Sequence, residues 1–201
     1  MSKKLPLVLT TGTGELRESP PFSYNNRSHY LDEHIQSVIH DPIRLMDRLS
    51  IRWYMEHNLN YLAGRVLDYG AGTSPYRNLV TGEYFPYQFG ESWPGGDFFD
   101  AVMVNQVLQY VEWPLITLEN LRDVLKPSGH IVMTFATNWD EVPNDCYHGE
   151  FCDRWRFTAK GMEYLFKMAG FEVLDLTRRC EVRVGSFTFP IGYGIVGRKK
   201  E

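Results

Sequence analysis

Residues 66–73 read Val-Leu-Asp-Tyr-Gly-Ala-Gly-Thr, a short apolar run that leads into a glycine-rich turn. Glycines at this point let the backbone turn tightly and approach a ligand closely. Pro75 occupies the place of the third glycine of a dinucleotide-binding motif, and Asp68 at the strand tip would repel a pyrophosphate. The turn therefore favours a ligand that carries an ammonium and a sulfonium. The alternative is a turn without a ligand, in which Asp68 acts as a cap.

From residue 64 onward, apolar runs alternate with helical patterns. Strands are predicted at 65–69, 84–89, 99–104, 130–135, 171–176 and 191–196, with helices at 114–125 and from Thr158 to Gly170. This alternation predicts an α/β fold whose mainly parallel sheet is covered on both faces. Because no helical pattern separates the last two strands, the last strand is predicted to be antiparallel.

Residues 1–63 are predicted to form an irregular arm followed by helices, the longer of which begins after Asp41-Pro42. Its apolar residues recur at spacings of three and four, which is typical of an amphipathic helix. With a core at 64–201, the 201 residues are predicted to form a single domain.

Composition excludes several functional classes. The formal net charge of −4 gives no global basic field, so we expect no nucleic-acid or membrane partner. The three cysteines do not suggest a disulfide framework, and no run approaches the roughly 20 apolar residues of a membrane helix. These features predict a cytoplasmic protein.

Four stretches, in order, resemble the motifs of class I methyltransferases that use S-adenosylmethionine (SAM). They are Val-Leu-Asp-Tyr-Gly-Ala-Gly-Thr at 66–73, Phe-Asp-Ala-Val at 99–102 with Asn-Gln-Val-Leu-Gln-Tyr-Val at 105–111, Leu-Arg-Asp-Val-Leu-Lys-Pro-Ser-Gly-His at 121–130 and Asp-Arg-Trp-Arg-Phe-Thr at 153–158. The last is similar to a stretch in a branch associated with small-molecule or sugar substrates. The resemblance covers about residues 64–173. It implies a Rossmann-like sheet, a cap of N-terminal helices and SAM as the cofactor.

The resemblance also implies which residues hold SAM. In the family, the first motif cradles the methionine half of the cofactor, and the tip of the fourth strand touches it. Those positions here are Asp68, Gly70, Ala71, Gly72, Asn105 and Gln106.

In the family, an acidic residue at the end of the second strand binds the ribose hydroxyls. Gln88 occupies this position. Its neutral amide can still hydrogen-bond a hydroxyl, but the bond is weaker than one to a charged carboxylate. Glu91 is a nearby substitute if the loop folds back.

The segment after Gln88 departs from the family pattern. Only residues 89–96 separate it from Asp97, which is too short for the helix and strand that the family places there. We therefore predict a sheet that lacks one strand and an open adenine end. Trp93 is a candidate for stacking on adenine or for packing. A second copy of the chain or a protein partner could cover the shortened region.

The segment after the fifth strand, residues 138–155, is the candidate substrate side. His148 is the candidate general base because its pKa lies near working pH, although a surface-loop histidine is an alternative. Tyr147 and Arg154 are candidates for substrate binding. Cys146, His148 and Cys152 do not have a usual zinc spacing, so no metal site is predicted.

The leading interpretation is a SAM-dependent methyltransferase that acts on oxygen or nitrogen of a small molecule, such as a sugar or a biosynthetic intermediate. The alternative is a non-catalytic methyltransferase-fold protein that serves in binding or assembly, which the shortened middle and Gln88 favour. A nicotinamide-dependent oxidoreductase is disfavoured by Asp68 and Pro75.

Overall fold

The computed structural model describes residues 8–10, 16–18, 42–137, 154–184 and 187–201. The strands within these ranges are β1 Val8–Thr10, β2 Leu16–Glu18, β3 Arg65–Tyr69, β4 Glu83–Tyr87, β5 Phe99–Asn105, β6 Leu125–Ala136, β7 Phe171–Val184 and β8 Phe187–Lys199. The helices are α1 Pro42–His57, α2 Pro114–Val124 and α3 Ala159–Met168. No helix of the described ranges is long and apolar enough to cross a membrane.

The described strands form one sheet in the order β2-β1-β7-β8-β6-β5-β3-β4. Strands β4, β3, β5 and β6 pair in parallel, whereas β8 is antiparallel to both β6 and β7. The Rossmann-like, mainly parallel sheet with an antiparallel last strand is therefore confirmed. The chain continues from β3 to one side through β4 and to the other side through β5, and ligands bind at the carboxyl ends of strands at such a switch point.

No strand lies between β4 and β5, as the length of the segment predicts, and β4 is an edge of the described sheet. Glu83 donates its N–H to Gly64 O, and Tyr87 O accepts from Gly70, so these two residues of β4 face β3. Pro86 alternates with them and faces the free edge. Its missing N–H therefore costs no ladder bond, which explains how proline fits in this strand.

The helices cover both faces of the sheet. On one face, α1 buries Ile51, Tyr54 and Met55 against alternate residues of the central strands, including Ala101 and Met103 of β5. On the other face, the intervening Val102 and Val104 pack with α2 and α3. The alternation of β5 side chains between two cores is what a strand buried on both faces requires.

A buried charge holds α1 on the sheet. The Arg179 guanidinium of β7 is fully buried, and its Nη2 lies 3.0 Å from Asp47 Oδ1 of α1. Nη1 donates to Ser50 Oγ at 2.7 Å, and Nε donates to the carbonyl of Tyr193 at 2.9 Å. A Cβ at position 192 of β8 would overlap Arg179, so glycine there makes room for the guanidinium.

The last two strands are longer than predicted, since β7 continues to Val184 and β8 starts at Phe187. The apolar pattern of β7 is interrupted by three charged residues, Arg178, Arg179 and Glu181. Arg178 forms an ion pair with Glu181, and Arg179 forms one with Asp47 of α1. A polar run therefore remains in the sheet because its charges are neutralised by their partners. The strand expected at 130–135 likewise begins earlier, at Leu125.

Replacing Asp47 by alanine tests the anchor of α1. Asp47→Ala leaves the Arg179 charge buried without its partner, and we expect the free energy of unfolding to fall by about 3–5 kcal/mol. Glu56→Ala removes an exposed pair with Arg52 on the same helix and should cost only about 0.3–0.5 kcal/mol. Urea unfolding of both variants measures the difference. Equal losses would contradict the anchoring role.

Candidate functional site

A cavity of about 260 Å³ opens where β3 and β5 end, at the switch point of the sheet. Its wall includes the glycine turn after β3, the tip of β5 and one residue of α1. The lining residues are Arg48, Asp68, Gly70, Ala71, Gly72, Thr73, Pro75, Tyr76, Phe89, Asn105, Gln106, Val107 and Tyr110. Six of the seven residues assigned to SAM from the sequence lie together here, and Gln88 does not.

The two glycines of the turn have different roles. Gly70 has a φ of 74°, and a Cβ there would lie 2.6 Å from Val107 Cγ2, so a side chain would displace the segment after β5. The N–H groups of Gly70 and Ala71 both donate to Tyr87 O. Gly72 has a φ of 54°, but nothing lies within 4 Å of a Cβ built on it. Gly72 thus leaves an open cradle beside the backbone.

Burial disfavours the charged form of the Asp68 carboxyl group. Only 2% of it is exposed, and Tyr84 donates its hydroxyl to Oδ2 at 2.5 Å. Burial raises the pKa of Asp68 to about 7, and the hydrogen bond from Tyr84 acts in the opposite direction. No cation among the described residues pairs with Asp68, so a cationic group of a ligand would stabilise its charged form.

Two amide groups at the tip of β5 have donors without acceptors. Thr134 donates its hydroxyl to Asn105 Oδ1 at 3.0 Å, which orients the Asn105 amide. Gln106 has a φ of 55°, a conformation that non-glycine residues rarely adopt. Asn105 Nδ2 and Gln106 Nε2 are buried and have no partner among the described residues. Both residues line the cavity, so the two unsatisfied donors lie in its wall.

Gln88 braces the turn. Its exposed side chain donates from Nε2 to Gly72 O at 2.9 Å and does not line the cavity. The loop after β4 folds back, and Glu91 Oε2 accepts the N–H of Gln88 at 2.8 Å. The carboxylate of Glu91 thus lies beside position 88, although neither residue lines the cavity. A role of Gln88 in cofactor binding stays a prediction.

Aromatic side chains occupy the place of the missing strand. Tyr69 and Tyr87 stack with ring centroids 5.4 Å apart, and Trp93 packs edge-on against both. Phe89 also meets the edge of Tyr69, and it lines the cavity. Trp93 packs against these rings and does not line the cavity, whereas Phe89 lines it together with Tyr76 and Tyr110.

Among the predicted substrate residues, the structure describes Arg154. Its Nη1 donates to Tyr110 O at 2.7 Å, which brings this exposed side chain to the rim of the cavity. Tyr147 and His148 lie outside the described residues, as do Cys146 and Cys152. Within the described ranges, no cluster of histidine, cysteine or acidic residues could hold a metal ion.

Sequence reasoning missed several residues of the cavity. Tyr84 belongs to a predicted strand, but nothing in the pattern shows that its hydroxyl reaches Asp68. Arg48 is one of several charged residues of an amphipathic helix, and only the packing of α1 brings it to the cavity. The proximity of Glu91 to the strand end was the one such feature that the sequence suggested.

Comparisons with known proteins agree with this geometry. A family model described as a methyltransferase domain matches residues 40–176. A SAM-dependent methyltransferase from Thermotoga maritima aligns with a TM-score of 0.57 and 14% identity, over 86% of this chain and all (100%) of its own. No curated protein sequence matches this chain significantly.

Two further solved structures share the fold. A 1,6-didemethyltoxoflavin-N1-methyltransferase from Burkholderia thailandensis, with 1,6-didemethyltoxoflavin and S-adenosylhomocysteine bound, has a TM-score of 0.55 at 16% identity and covers 100% of this chain and 99% of its own. A methyltransferase in complex with the Trm112 activator from Haloferax volcanii has a TM-score of 0.54 at 14% identity, over 88% and 100%. At these identities, the likeness shows the fold.

The raised pKa of Asp68 gives a pH-dependent prediction. The folded state holds a proton that the unfolded carboxyl releases, so the stability from this group is fully present below pH 4 and is lost as pH rises to about 7. Asp68→Asn should therefore be more stable than wild type at pH 8, by about 1.4 kcal/mol for each unit of raised pKa. The gain should shrink toward pH 4.

Urea unfolding between pH 4 and pH 8 measures this difference. Asp123→Asn, at an exposed carboxylate, serves as the control for the loss of a surface charge. A stability difference between Asp68→Asn and wild type that does not change with pH would contradict the prediction.

Proposed function

This chain belongs to the class I SAM-dependent methyltransferase family, and we propose that it binds SAM in this cavity and transfers the methyl group to oxygen or nitrogen of a small molecule. The observation that carries the proposal is the combination of a buried, unpaired carboxylate, an open glycine cradle and two unpartnered amide donors in one cavity. Each of these features is costly or unused without a ligand.

The residues of the cavity fit the groups of SAM. Asp68 offers an anion to the ammonium, and a cation beside it favours the charged carboxylate. Gly72 leaves space beside the backbone for the methionine end. Asn105 and Gln106 line the cavity at the tip of β5, where their amide groups are the proposed contacts to the nucleoside.

When bound, SAM supplies an electrophilic methyl group on a sulfonium whose sulfur leaves with the electron pair. The contribution of the chain is to hold the acceptor atom in line with that methyl group. An acceptor hydroxyl or amine must also release a proton, for which His148 is the candidate base. Tyr147 and Arg154 are the candidates for holding the acceptor, and the position of Arg154 at the cavity rim supports its role.

Glu91 is the proposed partner of the ribose hydroxyls. Its carboxylate lies at the carboxyl end of β4, where it accepts the N–H of Gln88. A carboxylate oxygen accepts further hydrogen bonds, and charged acceptors bind hydroxyls more strongly than neutral amides do. The hydrogen bond of Gln88 to Gly72 O then has a separate role, because it holds the turn that forms the cradle.

Small-molecule and partner assignments are also proposals. The Burkholderia methyltransferase binds 1,6-didemethyltoxoflavin in the same fold, which supports a small-molecule acceptor. Phe89, Trp93 and Phe98 are more than a third exposed beside the edge strand β4. This apolar surface supports a second copy or a protein partner over the shortened region, and the complex of the Haloferax methyltransferase with an activator is a precedent in the fold.

Gly72→Val tests the cavity. The branched side chain fills the open cradle, and we expect binding of SAM to weaken by about 10-fold or more, because the methionine end is displaced. Isothermal titration calorimetry with SAM and S-adenosylhomocysteine measures the affinities.

Gly90→Val is the matched control for this variant. Gly90 also has a left-handed φ and free space for a side chain, but it does not line the cavity. Both valines cost about 1–2 kcal/mol of strain, so only the loss of binding separates them. Unchanged affinity in a folded Gly72→Val protein would refute the site. If wild type binds neither ligand, the non-catalytic alternative takes the place of this proposal.

Glu91→Gln tests the ribose contact. Replacing a charged acceptor by a neutral one should weaken SAM binding by about 5- to 10-fold, which corresponds to about 1–1.4 kcal/mol. Glu83→Gln at the other end of β4 is the control, because its carboxylate is exposed and far from the carboxyl end of the strand. Calorimetric titration of SAM into both variants compares them, and equal affinities would show that Glu91 does not contact the ligand.

A further inference from the structure

The cavity wall contains two charged residues of opposite sign. Among the residues that line it, Arg48 of α1 is the one cation and Asp68 of β3 is the one anion. They do not form an ion pair, and no other described residue pairs with Arg48. The cavity therefore keeps a positive and a negative charge apart, each without a charged partner in the described part of the chain.

Tyr76 indicates where these two charges lie. Burial raises the pKa of its phenol to about 12, with Arg48 acting to lower this pKa and Asp68 acting to raise it. The hydroxyl of Tyr76 is thus within electrostatic reach of both side chains, and Tyr76 itself lines the cavity. Because Arg48, Asp68 and Tyr76 all line the cavity, the two charged side chains border one common space.

The backbone of Arg48 is held in place by its neighbours. Asp47 accepts from the buried Arg179, and Ser50 accepts from the same guanidinium. The turn of α1 that carries Arg48 is therefore fixed to β7, although Arg48 itself is only partly buried. Because this backbone is fixed beside the cavity, the Arg48 guanidinium is placed to bind a carboxylate there with two parallel hydrogen bonds.

We infer that Arg48 binds the carboxylate of the amino-acid end of SAM while Asp68 binds its ammonium, so that the cavity selects a zwitterion. The inference rests on the proposed function, because it assigns a contact within the same cofactor site. It makes Arg48 a specificity residue: ligands that keep the sulfonium and the ammonium but lack the carboxylate should bind weakly. Decarboxylated SAM is such a ligand.

Calorimetric titration of SAM and decarboxylated SAM tests the inference. Wild type should prefer SAM. In Arg48→Gln, the affinity for SAM should fall by about 10- to 100-fold, the usual effect of losing a hydrogen-bonded charge, while that for decarboxylated SAM should not fall. Arg48→Lys should retain part of the preference. Arg52→Gln, four residues along α1 and outside the cavity lining, should behave as wild type.

Comparing the two ligands also distinguishes a failure of the role of Arg48 from a failure of the proposed function. Equal weakening of both ligands in Arg48→Gln, or an unchanged affinity for SAM, overturns the role of Arg48 and leaves the proposed function intact. Because retained binding of decarboxylated SAM itself reports an intact cavity, misfolding of the variant is recognised. If wild type binds neither ligand, the proposed function fails and the inference fails with it.

Discussion

The ion pair between Arg179 and Asp47 is the contact on which the arrangement of the site depends. It joins α1, which carries the cavity residue Arg48, to β7. Removing two charges from water costs nearly as much as their attraction returns, so such a pair adds little net stability compared with an apolar contact. Its geometry is directional, however, and Arg179 makes hydrogen bonds from Nε, Nη1 and Nη2. We therefore attribute to it the register of α1, and with it the position of Arg48.

The short segment between β4 and β5 protects the edge of the sheet that the missing strand would cover. Without the usual strand, the outer side of β4 and its carboxyl end would be exposed. Pro86 leaves the free edge without one of its donors, which makes pairing with another strand less favourable. Tyr69, Tyr87 and Trp93 form an aromatic cluster beside it, and the returning loop brings the carboxylate of Glu91 to the strand end. A short irregular segment thus replaces part of what a helix and a strand would provide.

The sequence predicts the parts of this structure that local patterns encode. The glycine turn, strands β3 and β5, the missing strand and the start of α3 at Thr158 follow from spacing and residue type, and the structure confirms them. The full lengths of β7 and β8 do not, because the polar residues of β7 are stabilised by partners such as Asp47, which lies 132 positions away from Arg179. The place of Arg48 at the cavity is not predicted for a similar reason, because the sequence does not distinguish it from the other charged residues of α1. The hydrogen bond of Gln88 to Gly72 O is likewise invisible in the sequence, because it joins residues 16 positions apart.

Most of the unsatisfied buried polar atoms of the described residues lie at the end of β5. Of the four buried side-chain atoms without a hydrogen-bond partner in the described part of the chain, three belong to Asn105, Gln106 and Gln109 at the end of β5. Asp68, whose charge burial disfavours, lies on the neighbouring strand, and Gln106 adds a strained backbone. A fold under selection for stability alone would remove such features, and their grouping around one cavity is typical of a site that a ligand completes. A cationic group of a bound ligand beside Asp68 would offset the cost of burying its charge, which is the role proposed for the ammonium of SAM.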